Sequence, residues 1–325
     1  MKNIRTRIKS ALILFFTIIP FFFITYFGRT PGKIIGLSFF AFLSAWATYE
    51  VLSHSVLQRW ENIIITLLTT LIWAMPLDWY NAQDPNNIFI KQGNAVGLNI
   101  NLFIEQIKHV IFFGKDTLTN FAALQIISIT TIISIIYFIN IFVIKEAKDK
   151  IKKIMISYFV AIFATIFIPI AFKALFIYNW ANLYFIFAVF SIPIVTDTSA
   201  YLGGSILGRK IIKIGMAPKI SPKKSWEGGI IGFLFGALFV FITMYLGKLT
   251  NNGAFTIFTN WKQLLAGVIL LPVVSIVGDL AFSLIKRLYD IKDFSNLIPG
   301  HGGFMDRFDS LSFVVVITSS ILLIK

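Results

Sequence analysis

The stretch IPGHGGFMDRFDSL, residues 298–311, places His301, Asp306, Arg307 and Asp309 among three glycines, directly before an apolar run. Asp306 and Asp309 are three residues apart, so a helix would put both on one face. Upstream, VGDLAFSLIKR carries Asp279, Ser283, Lys286 and Arg287 at i, i+4, i+7 and i+8, again one helical face. Two carboxylates side by side repel unless a cation joins them. Magnesium prefers oxygen ligands and is commonly held by one or two carboxylates plus substrate phosphates. Asp279 and Asp306, from neighbouring helices, are therefore expected to share a magnesium ion. Lys286, Arg287, Arg307 and His301 would neutralise phosphates beside it. Helix capping by Asp306 explains one of these residues and leaves the rest unexplained.

Two further segments carry candidate chemistry. In IVTDTSAYLGGSILGRK, residues 194–210, Asp197 ends an apolar run. An ionisable group in such a place is costly and usually faces a cavity or a partner. The alternative is an Asp reaching out to the interface. Gly203, Gly204 and Gly208 permit close backbone approach and are a weak phosphate-loop signal. In KISPKKSWEGG, residues 219–229, Pro218 and Pro222 keep the loop out of a regular helix. Ser221, Lys223, Lys224 and Ser225 offer hydroxyl donors and point charges suited to phosphate oxygens. Glu227 then stands where a helix start favours negative charge.

The elements that must position these residues are apolar. The 325-residue chain is 57% hydrophobic, with 35 Phe, and only 14% charged, against about 25% charged in soluble domains. Such a chain cannot cover itself with polar surface, so a bilayer is its expected solvent. The absence of Cys excludes disulfides and thiolate metal sites, and three His leave little room for a zinc enzyme. The formal charge of +14 reads as basic cytoplasmic loops rather than nucleic-acid binding. Runs long enough to span a membrane, roughly 20 residues, fall near 10–28, 34–54, 62–80, 118–144, 154–177, 180–204, 228–248, 262–286 and 307–324. The expectation is an all-α, polytopic membrane protein of nine spans. With the N-terminus cytoplasmic, most of the 29 Lys and Arg fall on the inner side, as they should. MKNIRTRIK leads into the first span with no clean cleavage site. Residues 81–97 read as an outside loop, 98–114 as an amphipathic segment that lies at the interface or re-enters the membrane, and Lys145 to Lys153 as a solvated cytoplasmic loop. The chain divides into N-terminal spans, 1–178, and a polar-rich C-terminal region, 179–325.

The C-terminal residues resemble the phosphatidate cytidylyltransferase (CDP-diacylglycerol synthase) family. The signature of that family runs Ser, two residues, Lys-Arg, then Lys-Asp, then Pro-x-His-Gly-Gly, two residues, Asp-Arg-x-Asp. It matches Ser283, Lys286, Arg287, Lys292, Asp293, Pro299, His301, Gly302, Gly303, Asp306, Arg307 and Asp309. The likeness extends to Gly278 and Asp279, to Ser221 through Gly228, and more loosely to Asp197, Ala200 and Tyr201. Phe282 stands where many relatives have Glu. The resemblance covers about the last 130 residues and implies that CTP and phosphatidate give CDP-diacylglycerol and pyrophosphate, in phospholipid biosynthesis. It implies magnesium dependence, with potassium as a candidate second ion, and makes Asp279 and Asp306 the metal-binding carboxylates. Lys223, Lys224, Lys286, Arg287, His301, Arg307 and Asp309 are then expected at the reacting phosphates. Asp197, Ser221, Ser225 and Ser283 are expected to bind substrate. The expected location is the inner cell membrane, and a homodimer is compatible with it.

Three other readings stay open on the residues. A CTP-dependent lipid kinase would move the γ-phosphoryl group to an alcohol and need a base for the hydroxyl proton. A CDP-archaeol synthase would run the same chemistry on an ether lipid. A cation-coupled transporter would use Asp197 and Asp279 as ion ligands, but would more often show repeats in both halves.

Overall fold

The protein is described by a computed structural model over residues 2–73, 117–143, 148–249, 258, 260–298 and 302–324. The helices in chain order are α1 (Lys2–Phe27), α2 (Arg29–Leu52), α3 (Arg59–Thr69), α4 (Thr117–Val143), α5 (Lys148–Ala181), α6 (Leu183–Leu207), α7 (Trp226–Leu249), α8 (Trp261–Leu288) and α9 (Met305–Leu322). Among the described residues there is no strand, only isolated bridges at Ala217/Ser221 and Ile298/Gly302. The fold is that of an all-α membrane protein.

Five helical segments among the described residues are long and apolar enough to cross a bilayer: Pro31–Leu52, Ile151–Ala181, Leu183–Leu207, Trp226–Gly247 and Trp261–Leu288. The expected third span, 62–80, differs. Its described part is the 11-residue α3 followed by a 3-10 turn, Thr70–Trp73. Glu61, Asn62, Thr66 and Thr69 of α3 are buried, while Ile63, Ile64 and Leu67 are exposed. Polar groups point inward because they find partners there. Glu61 accepts from the Gln58 backbone N–H at 2.7 Å and from Asn140 Nδ2 at 3.0 Å. The expected loop from Lys145 to Lys153 is also corrected. From Lys148 onward it forms the first turns of α5, with Lys152 and Lys153 exposed. Residues 81–97, and the amphipathic segment at 98–114, lie outside the described residues.

The chain forms two compact units. The first contains Met1–Gly93, Gln106–Phe176 and Leu288–Asp306. Here α1 and α2 pack through Phe21 and Phe39, stacked at 3.9 Å between ring centroids. Leu52, Ile65, Ile129, Ile133, Tyr137 and Ile154 belong to its apolar core. Lys173 is buried there and donates to the Ile72 carbonyl at 2.7 Å.

The second unit contains Asn94–Glu105, Ile177–Arg287 and Arg307–Lys325. Its frame is a small-residue seam. Thr196, Ala200, Gly204 and Gly208 recur every fourth residue toward the end of α6, and Gly228, Gly232 and Gly236 do so on α7. A Cβ on Gly232 would meet Ala200 Cβ at 2.7 Å and the Thr196 carbonyl at 2.8 Å, and one on Gly228 would meet the Ala200 carbonyl at 2.7 Å. Small residues at this spacing let membrane helices approach backbone to backbone. Of the glycines that read weakly as a phosphate loop, Gly203 packs against Ile231 of α7, and Gly204 lies beside Ser225 and Gly228. Gly232→Leu is expected to destabilise the protein by about 1–3 kcal/mol through overpacking. Thermal unfolding in detergent checks this, and an unchanged midpoint would contradict the seam.

A second close approach joins α8 and α9. A Cβ on Gly278 would touch Phe313 at 3.0 Å, and Phe282 packs edge-on against Phe313. At the far end, Gln263 Nε2 donates to the carbonyls of Leu322 and Ile324. The glycine of the Gly278–Asp279 pair is what lets α8 come near α9.

Candidate active site

The loop between α6 and α7 is held by its own polar groups. Ser225 caps α7, its Oγ accepting from the Gly228 N–H at 3.2 Å, as a Ser at a helix N-cap does. Glu227, buried in the first turn, accepts from the backbone N–H groups of Arg209, Ile211 and Ile212 at 3.1, 3.0 and 2.7 Å. Arg209 sits at φ 61°, and its guanidinium donates to the Pro222 carbonyl. The Met216 N–H donates to the Lys224 carbonyl, and Arg287 Nε donates to the Ile220 carbonyl at 3.1 Å. These bonds fix the stretch that presents Lys223 and Lys224.

Both lysines line a cavity of about 370 Å³ in the second unit, together with Asp197, Tyr201, Ser205, Ser225 and Asp279. Lys224 Nζ lies 2.7 Å from Asp279 Oδ2, and the Ser283 hydroxyl donates to Asp279 Oδ1 at 3.2 Å. Lys286 Nζ lies 3.8 Å from Asp309 Oδ2. The Ser310 hydroxyl reaches Asp197 Oδ2 at 3.5 Å. The carboxylates of Asp197, Asp279 and Asp309 are within electrostatic reach of one another. Three acidic and two basic side chains from α6, the loop, α8 and α9 thus form one charge network.

The remaining predicted residues fall as follows. Ser221 contributes backbone bonds that shape the loop, from its N–H to the Ala217 carbonyl and from Lys224 N–H to its own carbonyl. Arg307 is exposed on the first turn of α9, and His301 lies outside the described residues. Asp306 belongs to the first unit, where its Oδ2 accepts from the Gly303 N–H at 2.8 Å and the Phe294 N–H at 3.0 Å. It organises the turn that Gly302 makes at φ 88°, a left-handed conformation that suits glycine. Both N–H groups lie before α9 begins, so these bonds fasten the turn leading into the helix rather than cap the helix's own N–H groups.

One residue in this region was missed by sequence reasoning. Glu50, buried near the end of α2, accepts from the backbone N–H groups of Phe304 at 3.0 Å and Met305 at 2.6 Å. It also takes the Ser295 hydroxyl. Nearby, His54 Nε2 meets the Phe294 carbonyl at 2.6 Å. A carboxylate at the positive end of a helix is favourable, and here it clamps the start of α9. The available signal was an acidic residue within the apolar run 34–54.

Among the described residues, no three His, Asp or Glu side chains converge closely enough to enclose a metal ion by themselves. The donors around the cavity are carboxylate and hydroxyl oxygens. Such a set suits a hard cation that completes its shell with water and substrate phosphates.

The sequence profile of the cytidylyltransferase family matches residues 6–324. A phosphatidate cytidylyltransferase from Haemophilus influenzae is 38% identical over 138 residues, covering 41% of this chain and 44% of the relative. One from Aquifex aeolicus is 37% identical over 157 residues, 48% of this chain and 52% of the relative. A chloroplastic phosphatidate cytidylyltransferase 4 from Arabidopsis thaliana is 41% identical over 128 residues, 38% of this chain and 28% of the relative. The matched part of the chain spans about half or less of these relatives' lengths. The match to the family profile, by contrast, runs nearly end to end, through the seam, the cavity and the Asp306 turn alike, and the chain belongs to the cytidylyltransferase family.

Proposed function

We propose that the chain is a phosphatidate cytidylyltransferase of the inner cell membrane, converting CTP and phosphatidate to CDP-diacylglycerol and pyrophosphate. The observation that carries this reading is the cavity in which a fixed loop brings Lys223 and Lys224 beside Asp279 of α8. The names of the relatives give the substrates. A lipid phosphate monoester has a second pKa near ~6, so the nucleophile is already mostly dianionic at neutral pH. One of its oxygens attacks the α-phosphorus of CTP. The bond from that phosphorus to the bridging β-phosphate oxygen breaks, and pyrophosphate leaves with the electron pair. No proton need be removed, so the residues act by alignment and charge neutralisation.

Lys224 and Lys223 would receive the nucleotide phosphates, and Lys286 would offset charge beside Asp309. Asp279 holds Lys224 in place until phosphate competes for it. Asp279, one of the two carboxylates that the sequence offers as metal ligands, would also help to bind magnesium, which supplies charge neutralisation on the CTP phosphates when present. A potassium ion would be a second candidate for oxygen donors of this kind. The excess of Lys and Arg in the loops on one side supports a cytoplasmic N-terminus and a multi-pass arrangement.

Purified protein with labelled CTP, phosphatidate and magnesium is expected to yield a liponucleotide and pyrophosphate. Chelation of the metal should abolish both. Formation of CDP and a phosphorylated alcohol would identify a lipid kinase instead, and product from an ether lipid alone would indicate archaeol chemistry.

A further inference from the structure

The segment directly after α6 exposes Ile211 at 78% and Ile214 at 71%, in a loop rather than on a lipid-facing helix. Its backbone is not loose, because Glu227 holds the N–H groups of Arg209, Ile211 and Ile212. Ile211 is therefore held outward by an ordered frame, and Ile214 follows between that frame and the bond from the Met216 N–H to the Lys224 carbonyl. Large apolar side chains fixed in that way mark a surface that meets something.

Charge identifies the partner. Between Asp197 and Glu227 the chain has six cations, at 209, 210, 213, 219, 223 and 224, and no acidic residue; Lys223 and Lys224 line the cavity, and Lys210, Lys213 and Lys219 are exposed. Lys210 and Lys213 flank Ile211 and Ile212, Ile214 follows, and both lysines are exposed. The apolar surface is also continuous with a membrane helix. Leu202 and Ile206, on the last turns of α6, are exposed at 53% and 63%. A loop that leaves a span with outward isoleucines between lysines combines the two terms that draw protein to anionic membranes, apolar insertion and attraction to headgroups.

We propose that this loop docks into the headgroup layer of an anionic leaflet, seating Ile211 and Ile214 at the acyl boundary and Lys210 and Lys213 on lipid phosphates. The inference does not depend on the reaction catalysed. It requires only that the apolar helices span a bilayer.

The chain has no Cys, so a single introduced thiol is a clean probe. Ile211→Cys, Ile214→Cys and, as a control within α7, Leu238→Cys are labelled with an environment-sensitive fluorophore in the full-length protein. Each is placed in vesicles of phosphatidylcholine alone or with phosphatidylglycerol. Quenching is measured with nitroxide-bearing lipids and with aqueous iodide. At 211 and 214, nitroxide quenching is expected to exceed iodide quenching. It should be at least about twofold stronger in the anionic vesicles, since lysines gain from a negative surface potential. Adding Lys210→Gln and Lys213→Gln should remove that difference. Labels at 211 and 214 that are open to iodide and untouched by nitroxide would overturn the proposal, leaving a protein partner as the occupant. Equal quenching in both vesicle types would overturn it too, because the lysines would then contribute nothing. Lack of nitroxide quenching at 238 would refute the spanning of the bilayer, and this inference with it.

Discussion

Asp279→Ala is expected to lower liponucleotide formation by about 10²–10³-fold, the scale of loss on removing one group that stabilises developing charge. The fold should survive. The Asp279–Lys224 pair is partly exposed, with side chains 24% and 29% accessible on the Lys and Asp respectively. Partly exposed pairs contribute little, about 0.2–1 kcal/mol. A loss of about 3–4 kcal/mol in transition-state stabilisation is therefore too large to arise from lost stability. Asp279→Asn keeps the shape and the bond to Ser283 but removes the charge, so it should fail nearly as badly. Lys224→Gln combined with Asp279→Asn should cost less than the sum of the single changes, because the two act as one unit. The check is steady-state kinetics with CTP and magnesium varied, alongside thermal unfolding of each variant. Substantial activity in Asp279→Ala at saturating magnesium would remove this residue from the reaction.

Glu50→Ala is expected to produce the largest loss of stability. It would leave the buried N–H groups of Phe304 and Met305 without their carboxylate, at about 1–3 kcal/mol for each unpaired donor. It would also remove a negative charge from a helix start, a smaller term of up to about 2 kcal/mol when partly buried. A total near 3–5 kcal/mol follows from the two donors alone, with some relaxation. Ser295→Ala removes a single hydroxyl donor to the same carboxylate and should cost about 1 kcal/mol. Thermal unfolding of the two variants in the same detergent provides the comparison. If Glu50→Ala melts no earlier than Ser295→Ala, the carboxylate is not what holds the start of α9. Activity should fall as well, since α9 carries Asp306, Arg307 and Asp309.

Much of the site was legible because chemistry constrains residue type and spacing together. Asp279 and Ser283 stand four apart on a helix, and their side chains do meet. Lys224 was expected at the phosphates on its own account, and only the folded loop shows that its ammonium rests on Asp279. Arg287 shares the helical face of Asp279, yet its Nε is spent on the Ile220 carbonyl, a loop contact that periodicity cannot reveal. Asp309 was expected among the reacting phosphates, and the structure adds that it keeps company with Asp279 and Asp197.

By itself, the sequence determined the solvent and the element type. A chain that is 57% hydrophobic must bury itself in lipid, where backbone groups need internal partners, so helices follow. It also singled out Asp197, Lys224, Asp279, Lys286 and Asp309, polar residues that the structure gathers within the second unit. The tertiary structure alone decided which groups meet across long separations: Glu50 with the start of α9, Gly278 with Phe313, and Thr196 and Ala200 with Gly232. The reason is physical. Local pattern reports which face of a helix is apolar, whereas partner choice depends on backbone approach and on the few buried polar groups that must find one another.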